Sequence, residues 1–85
     1  MKQFEYTIKD ELGIHARPAG LLAKKAKEFE SVITIHKGEK AVNATKIMAL
    51  MSLGVKCGDN VSITAEGPDE QTAIVQMKNF FEANL

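Results

Sequence analysis

Apolar positions along this chain fall into runs of two distinct periods. Phe4, Tyr6 and Ile8 alternate with Gln3, Glu5, Thr7 and Lys9, the pattern of a strand with one buried and one wet face. Asp10-Glu11-Leu12-Gly13 reads as a loop. From Ala19 the period lengthens: Ala19, Leu22, Ala23, Ala26 and Phe29 recur at the spacing of one helix face, with Lys24, Lys25, Lys27 and Glu28 off it. This predicts a helix ending at about Glu28 or Phe29. Ser31-Val32-Ile33-Thr34-Ile35-His36 is rich in β-branched residues and reads as a strand. Lys37-Gly38-Glu39-Lys40 is a turn, and Ala41-Val42-Asn43 a short strand completing a hairpin.

The second half repeats the alternation. Asn43-Ala44-Thr45 opens a short helix in which Ile47, Leu50, Met51 and Leu53 can cover a core, and Gly54 is its stop. Met48 falls partly off that stripe, which leaves two readings: a gap-filler in the core, or an exposed contact. Cys57-Gly58-Asp59-Asn60 is turn material, and Val61 to Glu66 alternates as a strand. Gly67-Pro68-Asp69-Glu70 starts the last helix, with proline and acids expected in its first turn. There Ala73, Ile74, Met77, Phe80 and Phe81 form one stripe, and the two phenylalanines are core rather than a ligand box. The order β-α-β-β-α-β-α implies an α+β open-faced two-layer sandwich: a four-stranded antiparallel sheet, wet on one face and covered by helices on the other.

Length and charge narrow the classes. Eighty-five residues suit one small domain spanning 1–85. Eleven basic and eleven acidic residues cancel, so no chain-wide positive field exists to hold nucleic acid or an anionic membrane. One cysteine makes no internal disulfide, and Cys57 reads as a bystander thiol in a reducing compartment. The first residues have no apolar core of a signal peptide, and no run approaches the roughly 20 apolar residues of a membrane span. A cytoplasmic location is expected.

Candidate chemistry concentrates in Gly13-Ile14-His15-Ala16-Arg17-Pro18-Ala19. Proline is tolerated only in a helix's first turn, so the helix begins just before Pro18. With His15 as N-cap, the N–H groups of Ala16 and Arg17 have no backbone acceptor. They point out of the helix end with its partial positive charge, an anion site. His15 stands beside it, and Arg17 adds a planar guanidinium suited to phosphate oxygens. A neutral imidazole nitrogen is a competent nucleophile near neutral pH. Such a site could take a phosphoryl group without supplying a hydrolytic base. The plainer reading is a polar residue at a helix start and a solvated arginine, and geometry alone leaves both open. His36, at the end of the hairpin, reads as a solvated strand residue. The chain offers no histidine pair at helical spacing for a metal.

The segment from Gly13 to Ala19 resembles the active-site motif of the HPr family, the histidine-containing phosphocarriers of the phosphoenolpyruvate:sugar phosphotransferase system. Ile47-Met48-Ala49-Leu50-Met51-Ser52-Leu53-Gly54 is similar to that family's second interaction helix. Ile63-Thr64-Ala65-Glu66-Gly67-Pro68-Asp69-Glu70 is similar to its last strand and turn. The resemblance implies that His15 is phosphorylated by enzyme I, which draws on phosphoenolpyruvate, and passes the group to sugar-specific enzyme IIA proteins. It implies that Arg17 helps hold the phosphate. It also implies a docking surface of Gly20, Lys24, Lys27, Ile47, Met48 and Met51. A carrier of this kind is a monomer without turnover, metal or cofactor. One position departs: many Gram-positive members carry a regulatory serine where this chain has Lys46. Lysine has no hydroxyl to phosphorylate and is a poor N-cap, so Thr45 is the expected cap. The alternative is a regulatory protein-binding paralogue of the same fold. Those paralogues lack the active-site histidine, which this chain has. A hydrolase would need a base, acid or metal cluster that the sequence near His15 does not show.

Overall fold

A computed structural model describes residues 1–85. It contains β1 (Lys2–Thr7), α1 (Ala16–Ala26), β2 (Val32–Lys37), β3 (Lys40–Asn43), α2 (Ile47–Ser52), β4 (Asn60–Glu66) and α3 (Glu70–Asn84). The strands form one antiparallel sheet in the order β1-β4-β2-β3. The expected order and layering therefore hold.

The register explains the core. Phe4 stands opposite Ile63, Ile63 opposite Ile35, and Ile35 opposite Val42. One row of large apolar side chains thus crosses all four strands on the covered face. Strand residues alternate, so Gln3, Thr34, His36, Ser62 and Glu66 line the outer face, where a shallow groove of about 760 Å³ opens. The His36 Nε2 lies 3.3 Å from the Thr64 hydroxyl there.

On the inner face Phe81 of α3 is the central side chain. It is fully buried, with edge-on contacts to Phe4 and Tyr6 at centroid distances of 5.7 and 5.5 Å. Phe80 is only half-buried and packs on Phe81 from the side. Ala19, Leu22, Ala23 and Ala26 of α1 are buried, as their spacing predicts. Small alanines on that face let α1 approach α2 and α3 closely.

Several ends differ from expectation. α1 stops at Ala26, because the Glu28 and Phe29 amides turn back to Lys25 and Ala26 in tighter i, i+3 bonds. Phe29 still packs on the core, beneath the Lys25 ammonium at 5.7 Å. At α3 the cap is Asp69, and Pro68 lies outside the helix rather than in its first turn. The Asp69 carboxylate makes no cap bond. It accepts instead from the N–H groups of Glu30 and Ser31 and from the Ser31 hydroxyl. Those bonds tie the α1–β2 loop to α3 and hold the Asp69 carboxyl below its ordinary value of 3.8, the Ser31 hydroxyl contributing most.

At α2 the N-cap is Lys46, in extended backbone and without a side-chain cap. Thr45 does not cap: its hydroxyl and amide both bond the Asn43 side chain in a local turn. Leu50 and Leu53 face the core, but Ile47 and Met51 do not. Leu50 and Leu53, three residues apart, share the side turned to the core, while Ile47 and Met51, four apart, share the neighbouring side, which is turned to solvent. Gly54 ends α2 with φ +70°, a conformation that favours glycine.

Candidate functional site

The loop before α1 is pinned at its glycine. Gly13 has φ +68°, and a Cβ there would meet the Val55 carbonyl oxygen at 2.2 Å and the Lys56 Cα at 2.7 Å. The Ile14 N–H donates to that same carbonyl at 3.1 Å, and the Ile14 side chain is buried. The Gly13 N–H donates to the Asp10 carbonyl at 3.0 Å. His15 therefore emerges from a backbone clamped against the α2–β4 loop.

That loop is itself stapled. Lys37 donates to the Gly54 carbonyl at 2.8 Å and pairs with Asp59 at 3.1 Å. The Lys56 N–H donates to the same carboxylate oxygen, Asp59 Oδ2, at 2.8 Å. The Lys56 amide first, and the Lys37 ammonium second, hold the Asp59 carboxyl below its ordinary 3.8.

His15 is the N-cap of α1, with extended φ −100° and ψ −173°. Its carbonyl accepts the first helical bond, from Ala19 N–H at 2.9 Å. The amides of Ala16 and Arg17 precede that bond, Pro18 has no N–H, and no side chain caps the end. The two open donors and the axial partial charge thus face outward next to the imidazole. The site is a shallow cavity of about 250 Å³ lined by Asp10, His15, Arg17, Leu21 and the Ala83–Asn84 end of α3. His15 is 37% exposed, enough for a reacting group to reach it.

Two parts of this cavity escaped the sequence reading. Asp10 Oδ1 stands 3.9 Å from His15 Nε2, an ion-pair distance beyond hydrogen-bond reach. The end of α3 arrives because the Leu85 carbonyl accepts from the Lys9 and Asp10 N–H groups at 2.6 and 2.8 Å. Neither has a periodicity signal. Asp10 lies five positions before His15 in an irregular loop, and α3 is at the other end of the chain.

The remaining candidates lie on α1 and α2, which pack against each other. Lys24, Lys27, Ile47, Met48 and Met51 are exposed and Gly20 is partly so. Met48 is 73% exposed, which decides between its two readings in favour of a surface position. Leu21 of α1 is exposed too and lines the His15 cavity. His36, on the outer sheet face, and Cys57, exposed in a turn, stand apart from His15.

These features define an anion-receptive histidine at a helix end on an open-faced sandwich. The family model described as "PTS HPr component phosphorylation site" matches residues 2–83. The phosphocarrier protein HPr of Mycoplasma genitalium is 43% identical over 86 residues, covering 99% of this chain and 97% of that one. A crystal structure of HPr-C-His from Thermoanaerobacter tengcongensis superposes with a TM-score of 0.92 at 44% identity, covering 98% of this chain and 93% of that one. The Bacillus subtilis catabolite repression protein Crh superposes with a TM-score of 0.79 at 36% identity, covering 100% and 98%. The chain belongs to the HPr phosphocarrier family of the phosphotransferase system.

No helix is long and apolar enough to cross a membrane.

Proposed function

We propose that this chain is a phosphoryl carrier in which His15 accepts a phosphoryl group from enzyme I and hands it to sugar-specific enzyme IIA proteins. The observation that carries this reading is the position of His15: it caps α1 beside two amide donors that no protein group satisfies. A dianionic phosphoryl group on the ring finds those donors and the Arg17 guanidinium within its cavity. Neither the amides nor the guanidinium activates water, which favours holding the group over hydrolysing it. The protein is thus a carrier with a covalent phosphohistidine, not a turnover enzyme. It acts as a cytoplasmic monomer of one domain, needing no cofactor.

Docking falls to the exposed face of α1 and α2. Ile47, Met48 and Met51 supply an adaptable apolar centre, and Lys24 and Lys27 a basic edge. One such surface can serve several partners in turn. Lys46 removes the hydroxyl through which kinase control would act. The likeness to Crh favours a regulatory paralogue as second reading, but the histidine that those paralogues lack is present at position 15.

The test is incubation with phosphoenolpyruvate and active enzyme I, read by intact mass. The wild type should gain one acid-labile phosphoryl group and His15→Ala none. A wild type that gains nothing, with an enzyme I active on another carrier, overturns the carrier reading in favour of the regulatory one.

A further inference from the structure

Outside the His15 cavity, one ion pair grips the peptide from which the His15 turn hangs. The Val55 carbonyl and the Lys56 N–H belong to one planar trans peptide, so they point in opposite directions and turn together. At one end of that plane the carbonyl receives the Ile14 N–H at 3.1 Å and faces Gly13. At the other end the Lys56 N–H donates to Asp59 Oδ2 at 2.8 Å. The same oxygen stands 3.1 Å from the Lys37 ammonium, at the end of β2. That ammonium also donates to the Gly54 carbonyl at 2.8 Å, one peptide before the plane. The other supports of this loop act elsewhere: the Val55 side chain is buried, and Ile8 exchanges backbone bonds with Gly58 and Asp59 at 2.8 and 2.9 Å. Neither bonds the 55–56 peptide itself.

We propose that Lys37 and Asp59 are positioning residues for phosphoryl transfer: they orient the Val55 carbonyl, which sets where the Ile14–His15 turn presents the imidazole. This rests on the carrier reading above. Neither residue lines the His15 cavity, so neither touches the reacting group. Their effect passes from ammonium to carboxylate, from carboxylate to the Lys56 N–H, across the rigid peptide, and from the Val55 carbonyl to the Ile14 N–H. The bond from carboxylate to backbone N–H is charge-assisted, and so stronger than a bond between neutral groups. Without the Lys37 ammonium the carboxylate loses the partner that fixes it and turns toward water. The 55–56 peptide then rocks, and the Ile14 N–H follows. The pair adds little to global stability, because its side chains are 33% and 32% exposed and water screens them. A pair that only stabilised the fold would leave transfer untouched; a pair that positions the turn sets its rate.

Three variants test this. Lys37→Met removes both contacts of the ammonium and keeps its apolar stem. Lys37→Arg keeps a cation that reaches the same acceptors. Asp59→Asn keeps an oxygen for the Lys56 N–H but not the charge. Each is phosphorylated by enzyme I in rapid-quench single turnovers over a range of carrier concentration. Lys37→Met should lower the maximal rate about 3- to 10-fold, part of the roughly 100-fold that a full 1 Å displacement costs. The half-saturating concentration should stay at the wild-type value, because the exposed face of α1 and α2 is unaltered. Asp59→Asn should fall between Lys37→Met and wild type, and Lys37→Arg should restore the rate. Deuterium exchange of the Ile14 amide, followed by NMR, should quicken in Lys37→Met and Asp59→Asn relative to the Ala73 amide, which is bonded within α3 to the Asp69 carbonyl. Four results overturn the proposal: a wild-type maximal rate in Lys37→Met, a change confined to the half-saturating concentration, an arginine variant as slow as the methionine one, or an Ile14 amide that exchanges as in wild type. The amide comparison needs no phosphotransfer. A wild type that accepts no phosphoryl group therefore counts against the carrier reading, while the Ile14 amide still decides whether the pair orients the turn.

Discussion

Gly13→Ala tests the clamp that presents His15. The substitution has two costs that the structure separates. The first is conformational: at φ +68° a residue with a Cβ loses about 1–2 kcal/mol. Part of that, about 0.4–1 kcal/mol, returns because alanine restricts the unfolded chain. The second is steric. The new Cβ would sit 2.2 Å from the Val55 carbonyl oxygen, 0.8 Å inside the 3.0 Å limit of real Cβ contacts, and the neighbouring atoms are also backbone. No side chain can swing away, so the loop must shift, an overpacking cost of about 1–3 kcal/mol. Gly54→Ala is the matched control, with φ +70° and nothing within 4 Å of its Cβ. Both variants and the wild type would be unfolded in urea and followed by circular dichroism. With a slope of about 1 kcal/mol/M, the Gly13→Ala midpoint should fall about 1–3 M below that of Gly54→Ala. Phosphorylation by enzyme I, under conditions where both variants are folded, should drop about 100-fold for Gly13→Ala, since a misplacement near 1 Å costs about that much. Equal midpoints for the two alanine variants would refute the clamp.

Four further outcomes follow from the same geometry. Arg17→Ala should leave the urea midpoint unchanged, as Arg17 is exposed, but slow transfer about 10-fold or more, the loss of one charge-assisted contact of about 1.5–3 kcal/mol; rapid-quench kinetics that match wild type would remove Arg17 from the site. Leu50→Ala and Met48→Ala should separate packing from docking: calorimetry should show about 2–5 kcal/mol lost for the buried leucine and under about 0.5 kcal/mol for the exposed methionine, while only Met48→Ala weakens enzyme I binding out of proportion to its small stability change. Lys46→Asp supplies the missing acceptor at the start of α2 and should raise stability by about 0.5–2 kcal/mol in chemical unfolding. Asp69 sets an acid limit. Its folded carboxyl titrates below 3.8, so its contribution is present above that pH and lost as pH falls through the folded value. Asp69→Asn should therefore be less stable than wild type at neutral pH and should flatten the acid limb of stability, leaving the similarly lowered Asp59 and Glu70 to account for the rest.

Hydrophobic periods along the chain were enough to name the elements in order, because each buries one face and a buried face must repeat at 2.0 or 3.6 residues. Pro18 was enough to confine the start of α1 to the few residues before it, since its missing N–H restricts it to the first turn; the structure decided that His15 is the cap. Which strands neighbour one another was not determined locally: β1 pairs with β4 and β4 with β2 through contacts distant in sequence. The same holds for the ends of the elements. Asp69 stands at the cap of α3 while its carboxylate turns to Ser31, Thr45 turns to Asn43, and Ile47 and Met51 lose their places in the core to Leu50 and Leu53, each the outcome of competition among partners. The surroundings of the candidate site divide in the same way. Residue types carried by one turn of chain put an imidazole, a guanidinium and two free amides together. Only the packing of α3 and the α2–β4 loop against that turn decided that Val55 would clamp it, that Leu85 would hold the Asp10 loop, and that a carboxylate would face Nε2.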